Sequence, residues 1–253
     1  METVARFGLR ALVTRPREDA AELAAALAAR GIEAVIEPLI EIHFRAEPTP
    51  DLSGAQAVLC TSANGVRALA RLGAERTLPL LAVGDATAAR ARAEGFTAVD
   101  SAGGDVTALA RLARDRLCRD GGRLVHIAGS AVAGDLAGEL RAAGFEVERL
   151  VLYEARPAAA LSAASAQALG SGLIDFTLFF SPRTATTFVR LADRAGVTEA
   201  LQHTTALSIS AAADAALGGA RFRNRRIAAA PNQPALLAAV DTLLVERRAG
   251  ATA

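Results

Sequence analysis

Short apolar segments alternate with alanine-rich segments of helical periodicity along almost the whole chain. Leu9–Val13 is typical of a buried strand, and Glu18–Arg30 is typical of a helix that ends at Gly31. This alternation predicts right-handed strand–helix–strand units and parallel sheets covered by helices on both faces, an α/β fold. Further extended segments are predicted at Ala34–Ile42, Ala57–Thr61, Leu80–Val83, Arg123–Ile127, Val147–Ala155, Phe176–Phe180, Ala206–Ile209 and Arg226–Ala230, and further helices at Ala63–Leu72, Thr87–Glu94, Val106–Cys118, Ala133–Ala143, Thr184–Ala195, Ala212–Leu217 and Pro234–Arg247.

An internal repeat indicates that the chain contains two similar α/β domains. In both halves a short apolar strand precedes a leucine-containing helix, a glycine and a second extended segment. The matched runs are Leu12–Thr14 with Leu124–His126, Gly31–Glu33 with Gly144–Glu146, Leu59–Ser62 with Phe179–Pro182, and Ala82–Gly84 with Ser208–Ser210. A repeat of this length predicts two similar domains with parallel sheets, because solenoid repeats are much shorter.

Two extended segments are predicted to connect these domains. They cover residues 39–43 and 151–155, and each follows the second extended segment of one repeat. The first domain is then discontinuous, with residues 1–38 plus 156–253, and residues 44–150 form an inserted second domain. Two connectors side by side form a hinge, and hinged proteins commonly bind their ligand in the cleft between domains.

The composition argues against several classes of partner. With 28 basic and 27 acidic residues the net charge is +1, which is not the basic surface of a nucleic-acid-binding protein. The chain contains no uncharged apolar stretch of about eighteen residues and begins without an apolar signal segment, so we expect neither a membrane span nor secretion. We therefore predict a cytoplasmic protein.

No pattern of residues indicates a metal ion or a cofactor. Cys60 and Cys118 fit neither a disulfide framework nor a zinc site, and the three histidines (His43, His126 and His203) are widely spaced. No glycine-rich motif for a dinucleotide or a nucleotide phosphate is present. We therefore predict a cofactor-free protein that either only binds its ligand or acts on a substrate with its own reactivity.

Small, hydroxylated or glycine residues follow nearly every predicted strand. In open parallel sheets ligands bind at the carboxyl ends of the strands, where the N–H groups of helix N-termini bind anions. A simpler interpretation is that these residues only cap the helices that follow them. The candidate binding residues at the strand ends are Thr14, Arg15, Ser62, Ala63, Asn64, Gly84, Thr87, Gly104, Gly129, Ser181, Arg183 and Ser210.

Five motifs, in order and at fitting separations, make the chain resemble the uroporphyrinogen-III synthase family. The resemblance extends from residue 9 to about residue 244. The motifs are the opening Ala11–Leu39 with Thr14-Arg15-Pro16, the run Thr61–Val66 (TSANGV), the turn Ala82–Ala88 (AVGDATA), the connector Val151–Pro157 (VLYEARP) and the run Phe179–Pro182 (FFSP).

This resemblance implies a reaction and a substrate. Members of the family cyclise hydroxymethylbilane, a linear tetrapyrrole, with inversion of its last ring and loss of water, and they need no cofactor. Backbone amides and hydroxyls would bind the acetate and propionate arms of the substrate. The resemblance further implies a place in heme biosynthesis and hydroxymethylbilane synthase as an upstream partner. Because one substrate site per chain needs no second subunit, we expect a monomer.

Tyr153 is the only tyrosine of the chain, and it matches the functional tyrosine of the family. The resemblance implies that its phenol helps the substrate hydroxyl leave, as a hydrogen-bond donor or general acid. The alternative is an amphipathic connector residue whose hydroxyl only faces solvent.

Two positions depart from the family pattern. Ala213 stands where the family usually has a threonine, and Ala128 stands where an arginine often precedes the glycine matched by Gly129. Both changes would weaken substrate binding unless Arg15 and Arg183 compensate. A non-catalytic relative that binds an anionic or tetrapyrrole-like ligand is therefore the alternative function.

Overall fold

The computed structural model describes residues 8–45, 51–131 and 134–251. Its strands are β1 (Leu9–Val13), β2 (Ile32–Ile36), β3 (Ile40–Phe44), β4 (Ala55–Cys60), β5 (Leu80–Ala82), β6 (Val99–Ser101), β7 (Arg123–Gly129), β8 (Val147–Pro157), β9 (Phe176–Phe179), β10 (Thr205–Ser208) and β11 (Asn224–Ile227). Its helices are α1 (Ala20–Ala28), α2 (Ala63–Arg71), α3 (Asp85–Ala93), α4 (Val106–Arg116), α5 (Leu136–Ala142), α6 (Ala163–Gly170), α7 (Pro182–Arg194), α8 (Ala211–Ala215) and α9 (Gln233–Ala251).

The described residues divide into two compact units, each built on its own sheet. The first unit contains the chain up to Glu41 and from Arg156 onward, and the second contains Ile42–Ala155. The first sheet has the strand order β11-β10-β9-β1-β2, and the second has the order β3-β8-β7-β4-β5-β6. Apart from β3, the second sheet repeats the order of the first when β7 is matched with β1. The two halves of the repeat therefore form sheets with the same spatial order of equivalent strands, although these strands follow one another differently along the chain.

Helices cover both faces of the first sheet, as the alternation of apolar segments predicts. Leu23 and Leu27 of α1 pack with Val13 and with the apolar face of α9. On the opposite face, Leu12 and Phe179 pack against α6 and α7. The rings of Phe179 and Phe188 meet edge to face with their centroids 5.2 Å apart.

The second sheet is covered in the same way by four helices. Val125 and Ile127 of β7 pack with α2 and α3 on one face. Leu124 of β7 and Leu59 of β4 pack with α4 and α5 on the other face. Residues 57–60 and, apart from His126, residues 124–128 are buried and apolar on both faces rather than alternating.

The structure corrects the register of the repeat in its first strand. Leu12 packs on the face of its sheet opposite to α1, whereas Leu124 packs on the same face as α5, the helix that follows it. The match of Leu12 with Leu124 is therefore wrong by one residue, which places them on opposite faces. Leu12 corresponds to Val125 instead, and Val13 corresponds to His126.

The match of Leu59–Ser62 with Phe179–Pro182 is wrong by one residue as well. Ser62 is the N-cap of α2, and Ser181 is the N-cap of α7, so these two serines correspond. The match of Gly84 with Ser210 is confirmed, because these residues are the N-caps of α3 and α8. A one-residue slip leaves an apolar pattern almost unchanged, so only strand pairing and capping reveal it.

The extended segment predicted at Ala34–Ile42 consists of two strands in different sheets. β2 pairs with β1 in the first sheet, and β3 is the neighbour of β8 in the second. Ala158 N–H donates to the carbonyl of Leu39, and Arg45 N–H donates to that of Leu152, which makes β3 and β8 antiparallel. Between β2 and β3 in the chain, Glu37 is buried and accepts hydrogen bonds from the hydroxyls of two serines at the start of α6.

Four other elements differ from the sequence prediction. β11 lies at Asn224–Ile227 rather than Arg226–Ala230, because it pairs residue by residue with β10. The prediction omitted the short strand β6 and the helix α6. The helix predicted from Ala133 begins at Leu136, and Ala133 itself lies outside the described residues. Within the described part of the chain, no helix has both the length and the hydropathy that crossing a membrane requires.

Candidate functional site

The strand-end residues of the second unit lie along one edge of its sheet. The strands β8, β7, β4, β5 and β6 are neighbours in that order and run parallel. The carboxyl ends of β7, β4, β5 and β6 carry Gly129, Ser62, Gly84 and the turn that contains Gly104, and Tyr153 lies within β8, where it pairs with Gly129. The sheet thus brings together residues that are far apart in the sequence.

Ser62 lies where β4 ends and α2 begins. Its backbone is extended, and its Oγ accepts a hydrogen bond from the N–H of Gly65 at 3.1 Å. Ala63 and Asn64 form the first turn of the helix, where backbone N–H groups have no partner within the helix. Asn64 Oδ1 accepts a 2.5 Å hydrogen bond from the guanidinium of Arg67, whose side chain is buried. This turn therefore combines backbone donors with a buried positive charge.

Tyr153 reaches this turn from β8. Its hydroxyl oxygen lies 2.8 Å from Ser62 Oγ, and either oxygen has the chemistry to donate the hydrogen bond. The phenol ring lies directly over Gly129, where a Cβ atom would be only 2.8 Å from Cζ of the ring. Gly129 pairs with Tyr153 in the sheet, so only a residue without a side chain leaves room for the ring here. Contact with Gly129 thus fixes the position of the ring, and the contact with Ser62 fixes the position of its hydroxyl.

Gly84 and Gly104 lie next to each other at the ends of β5 and β6. A Cβ atom on Gly84 would lie 3.7 Å from the carbonyl oxygen of Gly104, and the N–H of Gly104 donates to Val83. Thr87 is buried one turn into α3, and its N–H donates to the carbonyl of Gly84. The N–H groups of Gly104 and Thr87 are therefore engaged within the protein.

In the first unit, Ser181 and Ser210 cap the helices that follow β9 and β10. Ser181 forms a capping box with Thr184, in which each hydroxyl accepts from the backbone N–H of the other residue. Ser210 Oγ accepts from the N–H of Ala213, whose side chain is fully buried. The threonine hydroxyl in the capping box therefore serves the helix terminus.

Thr14, Arg15 and Arg183 differ in their exposure. Thr14 is fully buried, and its hydroxyl donates a 2.6 Å hydrogen bond to the carbonyl of Leu178. Arg15 donates to Gln233 Oε1 at 2.8 Å and lies over the ring of Phe180. Arg183 is exposed in the first turn of α7. The hydroxyl of Thr14 is therefore engaged inside the protein, whereas Arg183 lies at the surface.

A guanidinium lies at the end of β7 even though Ala128 replaces the arginine of the family pattern. Arg149, on the neighbouring strand β8, donates from Nη2 to the carbonyl oxygen of Gly129 at 2.9 Å. Ala128 itself is fully buried. The sequence did not indicate Arg149, because its position beside Gly129 depends on the pairing of β7 with β8.

His126 and Cys60 are buried in the strands that lead to this edge. Neither ring nitrogen of His126 has a hydrogen-bond partner among the described residues. Burial, and then the nearby charge of Arg149, lower the pKa of His126 from 6.5 to about 4. Burial raises the pKa of the Cys60 thiol to about 12, which makes it a poor nucleophile. Both residues belong to the core rather than to the site.

Chemically, this edge offers one phenol, several hydroxyls and the backbone amides of helix termini. Such groups bind carboxylates and assist the departure of an oxygen leaving group. Among the described residues, no group of histidine, cysteine, aspartate or glutamate side chains could hold a metal ion. Gly65 also shapes this site, although the sequence showed it only as part of the TSANGV motif. As the third residue of α2 it leaves Ser62 without a side-chain partner in its own turn.

A comparison with family models identifies one family. The family model described as uroporphyrinogen-III synthase HemD matches residues 21–238 of the chain. No curated protein matches the sequence.

Solved structures support the fold. The uroporphyrinogen-III synthetase of Helicobacter pylori has a TM-score of 0.63 and 18% identity, with 93% of this chain and 99% of that chain covered. A mutant of the uroporphyrinogen III synthase of the extremely thermophilic bacterium Thermus thermophilus has a TM-score of 0.52 and 18% identity, with 94% and 99% covered. At this identity the two structures establish a shared two-sheet α/β fold.

Proposed function

The chain belongs to the uroporphyrinogen-III synthase family, and we propose that it performs the reaction of that family through the strand-end residues described above. It is a cyclising lyase that acts on hydroxymethylbilane in tetrapyrrole biosynthesis. The observation that carries the proposed site is the position of Tyr153, whose hydroxyl lies 2.8 Å from Ser62 Oγ at the carboxyl edge of the second sheet.

The substrate arms are carboxylates, and backbone amides are the groups that would bind them. The N-termini of α2, α3 and α7 each present N–H groups that have no partner within the helix, and their helix dipoles favour negative charge. In this proposal Ala63, Asn64 and Arg183 bind through these first turns. The remaining residues of the proposed set are Thr14, Arg15, Ser62, Gly84, Thr87, Gly104, Gly129, Ser181 and Ser210.

Tyr153 would act on the group that leaves. The electron-rich pyrrole expels the hydroxyl of its hydroxymethyl substituent, and the phenol proton converts the departing hydroxide into water. The carbon that loses the hydroxyl becomes electrophilic and forms the bond that closes the ring. The protein then has to hold the linear substrate so that its last ring presents the inverted carbon.

An isomer assay tests the proposed function. Hydroxymethylbilane cyclises without an enzyme to the type I isomer, so purified protein should shift the product to type III. Tyr153→Phe removes the phenol proton and keeps the ring over Gly129, and we expect turnover to fall by about a hundredfold or more. A product ratio equal to that of the uncatalysed reaction would reject the function. An unchanged rate in Tyr153→Phe would reject only the role of the tyrosine.

The cellular setting is part of the proposal. The enzyme would act as a monomer in the cytoplasm and receive its unstable substrate from hydroxymethylbilane synthase. Light scattering after gel filtration would test the first point, with a single-chain mass expected. The alternative of a non-catalytic relative is not favoured by the family match. That alternative depended on Ala213, the third residue of α8, which stands where the family usually has a threonine. At the third position of α7, the hydroxyl of Thr184 bonds to its own helix terminus.

A further inference from the structure

Ser62 occupies the junction between the proposed catalytic tyrosine and the N-terminus of a helix. Its Oγ accepts the N–H of Gly65 at 3.1 Å and lies 2.8 Å from the hydroxyl oxygen of Tyr153. Both side chains are half-buried. A backbone N–H, a serine hydroxyl and a phenol thus form one continuous hydrogen-bonded chain.

The hydrogen bond from Gly65 leaves Ser62 two ways to bond with Tyr153. A serine hydroxyl has one proton to donate and two lone pairs that accept. The N–H of Gly65 occupies a lone pair, and among the described residues the Tyr153 oxygen is the acceptor within reach of the serine proton. If Tyr153 donated instead, the serine proton would have no acceptor in the described part of the chain. Donation from Ser62 to Tyr153 gives the serine hydroxyl both a donor and an acceptor partner and leaves the phenol proton available to substrate.

We propose that Ser62 is a positioning residue that donates its proton to the Tyr153 oxygen and so directs the phenol proton to the leaving hydroxyl of the substrate. The proposal deepens the proposed function and rests on it for the identity of the leaving group. Successive hydrogen bonds that point the same way strengthen one another. The positive end of α2 acts through Ser62 on the phenol oxygen, where negative charge develops.

The proton and electron pairs balance in this step. The carbon–oxygen bond of the hydroxymethyl group breaks, and the oxygen takes the electron pair and the phenol proton to leave as water. The pyrrole supplies the electrons that the carbon loses. Tyr153 is left as a phenolate that accepts the Ser62 hydrogen bond. The proton released when the closed macrocycle regains its pyrrole rings returns to this phenolate.

The sequence provides a direct spectroscopic test. Because Tyr153 is the only tyrosine and the chain has no tryptophan, the tyrosine Fermi doublet in the Raman spectrum reports this phenol alone. The doublet distinguishes a phenol oxygen that accepts a hydrogen bond from a phenol that donates one. In the protein without substrate we expect the pattern of an acceptor. The pattern of a phenol that only donates to the protein would overturn the proposal.

Three variants of Ser62 separate its two hydrogen bonds. Ser62→Thr retains both the helix cap and the donor, so the doublet should keep its acceptor pattern. Ser62→Asp retains the cap but can only accept, so the doublet should change to that of a donor, and kcat should fall about tenfold with little change in KM. Ser62→Ala loses both bonds. Asp135→Ala, which removes the cap of α5 in the same unit, should leave the doublet unchanged.

Failure of this proposal differs from failure of the proposed function. A native doublet of the acceptor type, in a protein that leaves the isomer ratio at its uncatalysed value, would reject the function and retain the hydrogen-bonded chain. A doublet that is the same in Ser62→Asp and in the native protein would reject the role of Ser62 even if the isomer assay succeeds. Full turnover in Ser62→Asp would reject it as well.

Discussion

The two units build the same kind of turn, and the third residue of the helix that follows decides what the turn can do. Ser181 and Ser62 are both N-caps at the end of a central strand. In the first unit the third residue of the helix is Thr184, whose hydroxyl lies 3.1 Å from that of Ser181 and completes a capping box. In the second unit the third residue is Gly65, so the Ser62 hydroxyl is available to Tyr153. The same helix start is a closed cap in one unit and part of a proposed catalytic group in the other.

A second difference lies in the core of the two sheets. Val13 of β1 packs against α1, and its counterpart on β7 is His126. His126 is only 3% exposed, and both ring nitrogens lack partners among the described residues. The second unit therefore contains a titratable group where the first has an aliphatic one.

The largest expected effect comes from His126→Val, which makes the second sheet resemble the first. In the unfolded chain this histidine binds a proton near pH 6.5, but in the folded protein only near pH 4. The unfolded state thus binds more protons between these values, so stability is lost as the pH falls from about 6.5 to about 4, by about 3 kcal/mol. Urea denaturation at pH 6.5 and at pH 4 measures this loss of unfolding free energy. The loss should be smaller in His126→Val than in the native protein by about 3 kcal/mol. Equal losses in both proteins would contradict this assignment.

Gly129→Ala tests whether the ring position in the second unit depends on the missing side chain. The new methyl group would lie under 3.0 Å from the ring carbons of Tyr153, so the ring has to move away from Ser62. We expect turnover to fall about a hundredfold, as for loss of the general acid itself. In a Tyr153→Phe background, Gly129→Ala should lower turnover little further, because the phenol proton is already absent. Additive losses in this double-mutant cycle would show that Gly129 acts independently of the phenol.

Gly65→Thr converts the turn of the second unit into that of the first. A threonine hydroxyl beside Ser62 would form a capping box and compete with Tyr153 for the serine proton. Its Cβ would also lie 3.3 Å from the carbonyl oxygen of Ile127, so the helix start has to shift slightly. We expect turnover to fall about tenfold and the tyrosine Raman doublet to lose its acceptor pattern. Gly65→Ala separates the two causes, because it adds the Cβ without the hydroxyl.

The smallest expected effect is that of the mirror substitution, Thr184→Ala, in the first unit. It removes the side-chain acceptor of the Ser181 N–H, and we expect a loss of about 1 kcal/mol in the free energy of unfolding. Thr186→Ala, on the exposed face of the same helix, should not destabilise the protein, since alanine has the higher helix propensity. Thermal denaturation of both variants measures the difference. Equal stabilities would mean that the capping box contributes nothing.

Much of the fold follows from the sequence, and so does the family. The alternation of apolar and alanine-rich segments predicted the α/β class, and the ordered motifs indicated the uroporphyrinogen-III synthase family, which the family model confirms. The proposed roles of the strand-end residues stay predictions, but their nearness along each sheet edge follows from the parallel strands. These inferences succeeded because periodicity and capping residues are local, and a linear sequence displays local features directly.

Register and cross-strand contacts were decided only in the folded chain. Leu12 and Leu124 look equivalent in sequence but lie on opposite faces, because a one-residue slip in a strand exchanges its two faces. The segment around Glu37 looks continuous but divides between two sheets.

Tyr153 and Ser62 are 91 residues apart, and their contact depends on the pairing of β8, β7 and β4 and on the absence of a side chain at Gly129. The sequence by itself supplied the tyrosine, the serine and the glycine. Only the tertiary structure placed them together, because strand pairing and packing are non-local.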